Sequence, residues 1–84
     1  MRTVFADTGY WIAMISPRDE LHQKARETSQ SLGKCRMVTS EMVLTELLNG
    51  LGDQEPHIRK SAVESVKAIM KDPNIEVIPQ TSQQ

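Results

Sequence analysis

Two carboxylates, Asp7 and Glu46, stand where this 84-residue chain could do chemistry. Asp7 follows the apolar run Val4-Phe5-Ala6 and precedes another apolar stretch, Tyr10-Trp11-Ile12. It therefore falls where a buried strand hands over to a helix. In parallel sheets, functional groups gather beyond the carboxyl ends of the strands, and a helix N-terminus favours negative charge. Asp is also a good N-cap, and capping accounts for Asp7 taken alone. Glu46 lies in a segment whose polar arc, at about 100° per residue, is made of Glu41, Thr45 and Asn49. Glu46 falls outside that arc, beside Met42, Val43 and Gly50. A carboxylate with apolar flanks needs a cation or hydrogen-bond donor if it is desolvated, or it reaches solvent along its own stem. Two carboxylates meeting without a His or Cys companion suit a hard cation such as Mg²⁺ or Mn²⁺. Such a cation polarises a phosphate and activates water for phosphoryl transfer.

Positioning these residues requires an alternation of strands and helices. Thr3 to Ala6 reads as a strand, and Asp7-Thr8 can cap a short apolar helix from Tyr10 to Ile15. Ser16, Pro17 and Asp19 suggest a capping-box variant that opens a second helix. Leu21, Ala25, Thr28 and Leu32 give that helix one face, and Gly33 ends it. Arg36 to Thr39 is a second strand. Ser40 caps a helix from about Glu41 to Leu51, with Leu44, Leu47, Leu48 and Leu51 as its stripe and Gly50-Leu51-Gly52-Asp53 as its break. Pro56 opens a long helix with Ile58, Ala62, Val66, Ile69 and Met70 on one face. Asp72-Pro73-Asn74 is a turn before the strand Ile75 to Ile78. Strands joined through helices pair in parallel with right-handed crossovers. The fold class is α/β, with three strands and four helices.

Composition narrows the function. A net charge of −1 gives no basic footprint for nucleic acid over the whole chain. Lys34 and Arg36 sit near a strand start, at the wrong end for Asp7, while Arg59, Lys60, Lys67 and Lys71 read as a solvated helix face. His22 and His57 lack a paired carboxylate and read as surface or packing residues. Tyr10 and Trp11 beside Ile12 and Ile15 read as core or partner-contact residues. Cys35 is the lone cysteine, so no internal disulfide forms, which fits a cytoplasmic setting. No apolar stretch approaches the roughly 20 residues of a membrane span.

The residues Val4-Phe5-Ala6-Asp7-Thr8, then Ser16-Pro17-Arg18-Asp19-Glu20-Leu21-His22 with Ala25, then Val38-Thr39-Ser40-Glu41-Met42-Val43-Leu44-Thr45-Glu46-Leu47, form an ordered combination. That combination resembles PIN domains, and among them the VapC-type toxins of bacterial toxin–antitoxin pairs. The resemblance implies a three-layer-type domain over residues 3–79, with a polar tail at 80–84. It implies a metal-dependent endoribonuclease in which Asp7 and Glu46 are catalytic ligands of Mg²⁺ or Mn²⁺ and Thr8 assists. The implied partners are an RNA substrate, a cognate antitoxin and a second copy of the chain, with no membrane. The family carries further acidic residues after the third strand, whereas this sequence stops at Gln84. The expectation is the N-terminal portion of a PIN domain, truncated. The alternative it leaves open is a catalytically inactive fragment acting as a protein-interaction module.

Overall fold

The computed structural model describes residues 2–52 and 54–80. Its elements run β1 (Arg2–Phe5), α1 (Thr8–Ile15), α2 (His22–Leu32), β2 (Cys35–Ser40), α3 (Glu41–Leu51), α4 (Pro56–Lys71) and β3 (Ile75–Ile78). The three strands form one sheet in the order β1-β2-β3, with both pairings parallel. Thr3 pairs with Arg36 and Phe5 with Val38, while Thr39 pairs with Val77. The amide of Ala6 carries the β1–β2 ladder one step further, donating to the Val38 carbonyl at 2.8 Å.

Each crossover moves one strand in the same direction. Right-handed connections of that kind lay both helical pairs on one face of the sheet. Accordingly α1 touches α2, α3 and α4, and α3 and α4 touch β2 and β3. Ala6, Met37, Ile75 and Val77 point into this side and join Trp11, Val43, Leu44, Leu47, Leu51, Ile58, Ala62 and Ile69 in the core. On the opposite face Thr3, Arg36 and Glu76 are exposed, as are Phe5, at 57%, and Ile78. The described residues thus build the sheet and one helical layer of the implied three-layer arrangement. Among the described residues no helix is long and apolar enough to cross a membrane.

The second helix departs from its sequence signals. It begins at His22, and Leu21 at its N-cap makes no side-chain cap bond. Ser16 is extended (φ −95°, ψ 110°), as the residue before a proline prefers. The Asp19 carboxylate accepts from the Leu21 amide at 2.9 Å, so it closes a local Asx-type turn and does not reach back to Ser16. The capping box therefore gives way to turns over 16–21. Leu21 is consequently outside the helix and 57% exposed, while Ala25 is its buried residue. Gly33 ends the helix at φ +59°, a conformation L side chains rarely adopt.

Two other stripes shift at their edges. Met70 is 61% exposed and Leu48 is also exposed, so the seams of α4 and α3 are narrower than their spacing suggests. Helix α3 runs through Gly50 to Leu51, and Gly52 caps it; Asp53 lies outside the described residues. Gln80, the first residue of the expected tail, donates its amide to Glu41 Oε1 at 2.7 Å. Thr81 to Gln84 lie outside the described residues.

The carboxyl end of the sheet is tied by one buried hydroxyl. Thr39 is fully buried; its Oγ1 donates to the Ala6 carbonyl at 2.9 Å and accepts from Trp11 Nε1 at 3.2 Å. Thr39→Val keeps the shape and leaves both partners buried and unpaired. We expect a loss of about 1–3 kcal/mol with an unchanged denaturant slope. Urea unfolding followed by the fluorescence of Trp11, the chain's one tryptophan, measures it.

Candidate metal and nuclease site

Asp7 is the N-cap of α1 in extended geometry, and its Oδ1 accepts from the Tyr10 amide at 3.0 Å. The cap explains why a carboxylate stands at this junction. It engages one oxygen and leaves Asp7 exposed to solvent. Thr8, the first residue of α1, donates its hydroxyl to Glu46 Oε1 at 2.9 Å. That bond spans 38 residues and brings the middle of α3 against the start of α1. Helix α3 is placed by its own cap: Ser40 Oγ accepts from the Val43 amide at 3.1 Å. The geometry therefore sets Glu46 beside the residue that follows Asp7, at the carboxyl ends of β1 and β2.

Glu46 is exposed, so of its two sequence readings the carboxylate that reaches solvent at the edge of the apolar face matches its surroundings, and the desolvated one does not. The α3 residues that are buried are Val43, Leu44, Leu47 and Leu51, and Glu46 lies on the border of that face. What holds it at the rim is the Thr8 hydroxyl. The donors assembled here are all oxygens: two carboxylates and one hydroxyl. Mg²⁺ is held by one or two carboxylates together with waters and substrate phosphates, and this donor set fits such a cation. Among the described residues no group of three or more His, Cys, Asp or Glu side chains converges to hold a metal.

The other sequence candidates divide clearly. His22 Nδ1 lies 2.6 Å from the Ala13 carbonyl and ties α2 to α1. His57 pairs at 3.4 Å with Glu55 on the surface. Trp11 is in the core, edge-on to Tyr10 with ring centroids 5.1 Å apart. Arg36 faces Glu76 at 3.5 Å across the open side of the sheet, away from Asp7. Cys35 is half-buried and free. Sequence reasoning passed over Lys24, which lines a cavity of about 400 Å³ between α1 and α2 together with Asp7. Its signal was available: Leu21, Lys24, Ala25 and Thr28 follow the i, i+3, i+4, i+7 spacing of one helix face.

The PIN domain family model matches residues 4–84. The chain belongs to the PIN domain family. Among solved structures, Mycobacterium tuberculosis VapC20, a sarcin–ricin loop-cleaving toxin, matches with a TM-score of 0.79 and 25% sequence identity. The match covers 94% of this chain and 58% of that one, so the chain spans less than two thirds of VapC20. No curated protein sequence matches it. Within the PIN fold of this chain, the Asp7–Thr8 corner and Glu46 are brought together by α1 and α3.

Capping and charge at Asp7 are separable by substitution. Asp7→Ala removes the cap and should cost about 1 kcal/mol, whereas Asp7→Asn, an equally good cap, should stay within a few tenths of the parent. Parallel urea titrations of the two variants check this.

Proposed function

We propose that this chain carries the front half of a metal-dependent PIN endoribonuclease site, belonging to the toxin of a type II toxin–antitoxin pair. The observation that supports the reading is the Thr8–Glu46 hydrogen bond, which ties Glu46 to the residue following Asp7 in a chain of the PIN family. Further support comes from the likeness to VapC20, whose stated activity is cleavage of an RNA loop.

In this reading Asp7 and Glu46 hold one Mg²⁺ or Mn²⁺ through carboxylate oxygens. When bound, such a cation would supply Lewis-acid polarisation of the phosphodiester and would lower the pKa of water. Asp7 reaches its position because the α1 cap fixes its backbone, and one of its oxygens stays on the cap amide. Thr8 orients Glu46 by donating to Oε1 and so leaves the second oxygen to the ligand. The cognate antitoxin and a second copy of the chain are the protein partners of this reading. In this reading the site operates in the cytoplasm.

A second reading is favoured by the exposed Phe5 and Ile78 on the open face of the sheet. Apolar surface of that kind marks protein contact sites, and a non-catalytic interaction module would use it.

Calorimetric titration with Mn²⁺ and cleavage of short RNAs separate the two. The nuclease reading expects Mn²⁺ binding that Asp7→Asn and Glu46→Gln each weaken by about a hundredfold or more. Thr8→Val, which removes only a supporting hydrogen bond, should fall within roughly 10–100-fold. Equal Mn²⁺ affinity and equal cleavage in wild type and Asp7→Asn would leave the interaction module standing.

A further inference from the structure

Helix α4 turns a basic face away from the core. At about 100° per residue, Arg59, Lys60, Val63, Lys67, Met70 and Lys71 share one arc of about 120°, and all six are exposed. Ile58, Ala62 and Ile69 are buried on the other side. Glu64, at the edge of the arc, is the one carboxylate of the helix. Among the described residues no carboxylate lies within ion-pair distance of any of the four cations. The apolar residues of this face are seven apart. With Val63 and Met70 at a, Val66 falls at d, and Lys60 and Lys67 both fall at e. Arg59 takes the preceding d, where its aliphatic stem supplies apolar surface. Val66 and Met70 also line a groove of about 280 Å³ with Leu48 of α3. From Arg59 to Lys71 the face covers about 18 Å of helix, just under two heptads.

We propose that this face docks an acidic amphipathic helix of a different protein, whose apolar a and d residues lie on Val63, Val66 and Met70 and whose flanking carboxylates meet Lys60 and Lys67. The proposal stands apart from the metal reading of Asp7 and Glu46 and survives its failure. Helices laid into grooves are held by apolar anchors at such spacings. Charges at e and g then choose the partner, and lysines at e select carboxylates. An RNA backbone would match the cations but not the apolar residues between them. Single strands also stack on aromatic side chains, and α4 has none. A second copy of this chain has no described helix of the required kind to present. Helix α1 carries no charge, and α2 has two cations to one carboxylate. The two carboxylates of α3 already accept from Gln80 and Thr8.

The test uses labelled peptides of three heptads with Leu at a and d, one with Glu and one with Lys at e and g. Like charges there also keep each peptide from pairing with itself. Each is titrated against the full chain by fluorescence anisotropy. The Glu peptide is expected to bind about tenfold more tightly than the Lys peptide, the scale of two exposed ion pairs turned repulsive. Lys60→Glu combined with Lys67→Glu is expected to invert that preference, and the gained binding of the Lys peptide shows that the variant is folded. Val63→Gln should weaken the Glu peptide about fivefold, the scale of covering a valine that is 44% exposed. A peptide of the same composition with its Leu residues moved off the a and d register should not bind. Binding of neither peptide, equal binding of both, an unchanged preference in the double variant or full binding of the off-register peptide overturns the proposal. So does self-association of the wild type in sedimentation that the double variant abolishes, because the face then belongs to a second copy. An RNA hexamer that binds more tightly than the Glu peptide and is lost in the double variant assigns the face to nucleic acid and overturns it too.

Discussion

The Thr39 hydroxyl sits where β1, β2 and α1 converge, accepting from Trp11 Nε1 and donating to the Ala6 carbonyl. A buried hydroxyl can be kept only if it is hydrogen-bonded, and here both of its roles are used. The bond to Ala6 fixes the last residue before Asp7. The bond to Trp11 fixes the first turn of α1. The chain then uses the very next residue, Ser40, to cap α3, the helix that carries Glu46. Residues 39 and 40 thus set both sides of the rim, one by tying α1 to the sheet and one by starting α3. The same economy recurs across the rim: Asp7 caps α1 and Thr8 reaches Glu46. Four residues in two adjacent pairs determine where the carboxylates stand.

Most of this architecture was legible in the sequence because local signals and tertiary packing agree. Ser40 before a leucine stripe, Pro56 at the head of an apolar face, and Asp72-Pro73-Asn74 ahead of β-branched residues each mark a boundary that the fold keeps. The opening of α2 was misread because Asp19 offers two competing bonds. A carboxylate three residues after a serine can close a capping box, but it can equally close its own short turn. The turn won, and Pro17 favours it by holding Ser16 extended. Periodicity also overstated the seams. Met70 and Leu48 have the right spacing, yet both stay exposed among the described residues, because spacing locates a face and says nothing of its width.

The site was legible to a different degree. Asp7 is at the strand end and is the cap, so the structural role and the chemical role proposed for it share one residue without conflict. Glu46 had two sequence readings, desolvated or reaching solvent, and its surroundings match the second. Its exposure is explained by its place at the border of the α3 face, and its position by a hydroxyl partner 38 residues away, which no local pattern encodes. Lys24 was passed over for the opposite reason, although its spacing was there to read. It belongs to a helix face that looked like an ordinary surface seam, and only the packing of α2 against α1 turns that seam into the wall of a groove.

Electrostatics gives the proposed arrangement its direction. Two carboxylates on an exposed rim repel each other weakly, because water screens charges strongly. Water screening therefore makes the acidic pair inexpensive to keep when nothing is bound. Lys24 stands across the groove from this rim on a separate helix, so the field between the two walls is dipolar. The parallel sheet is what makes this possible, because β1 and β2 run the same way and deliver α1 and α3 to one end of the molecule. An antiparallel pair would send the two helices to opposite ends, and Thr8 could not reach Glu46.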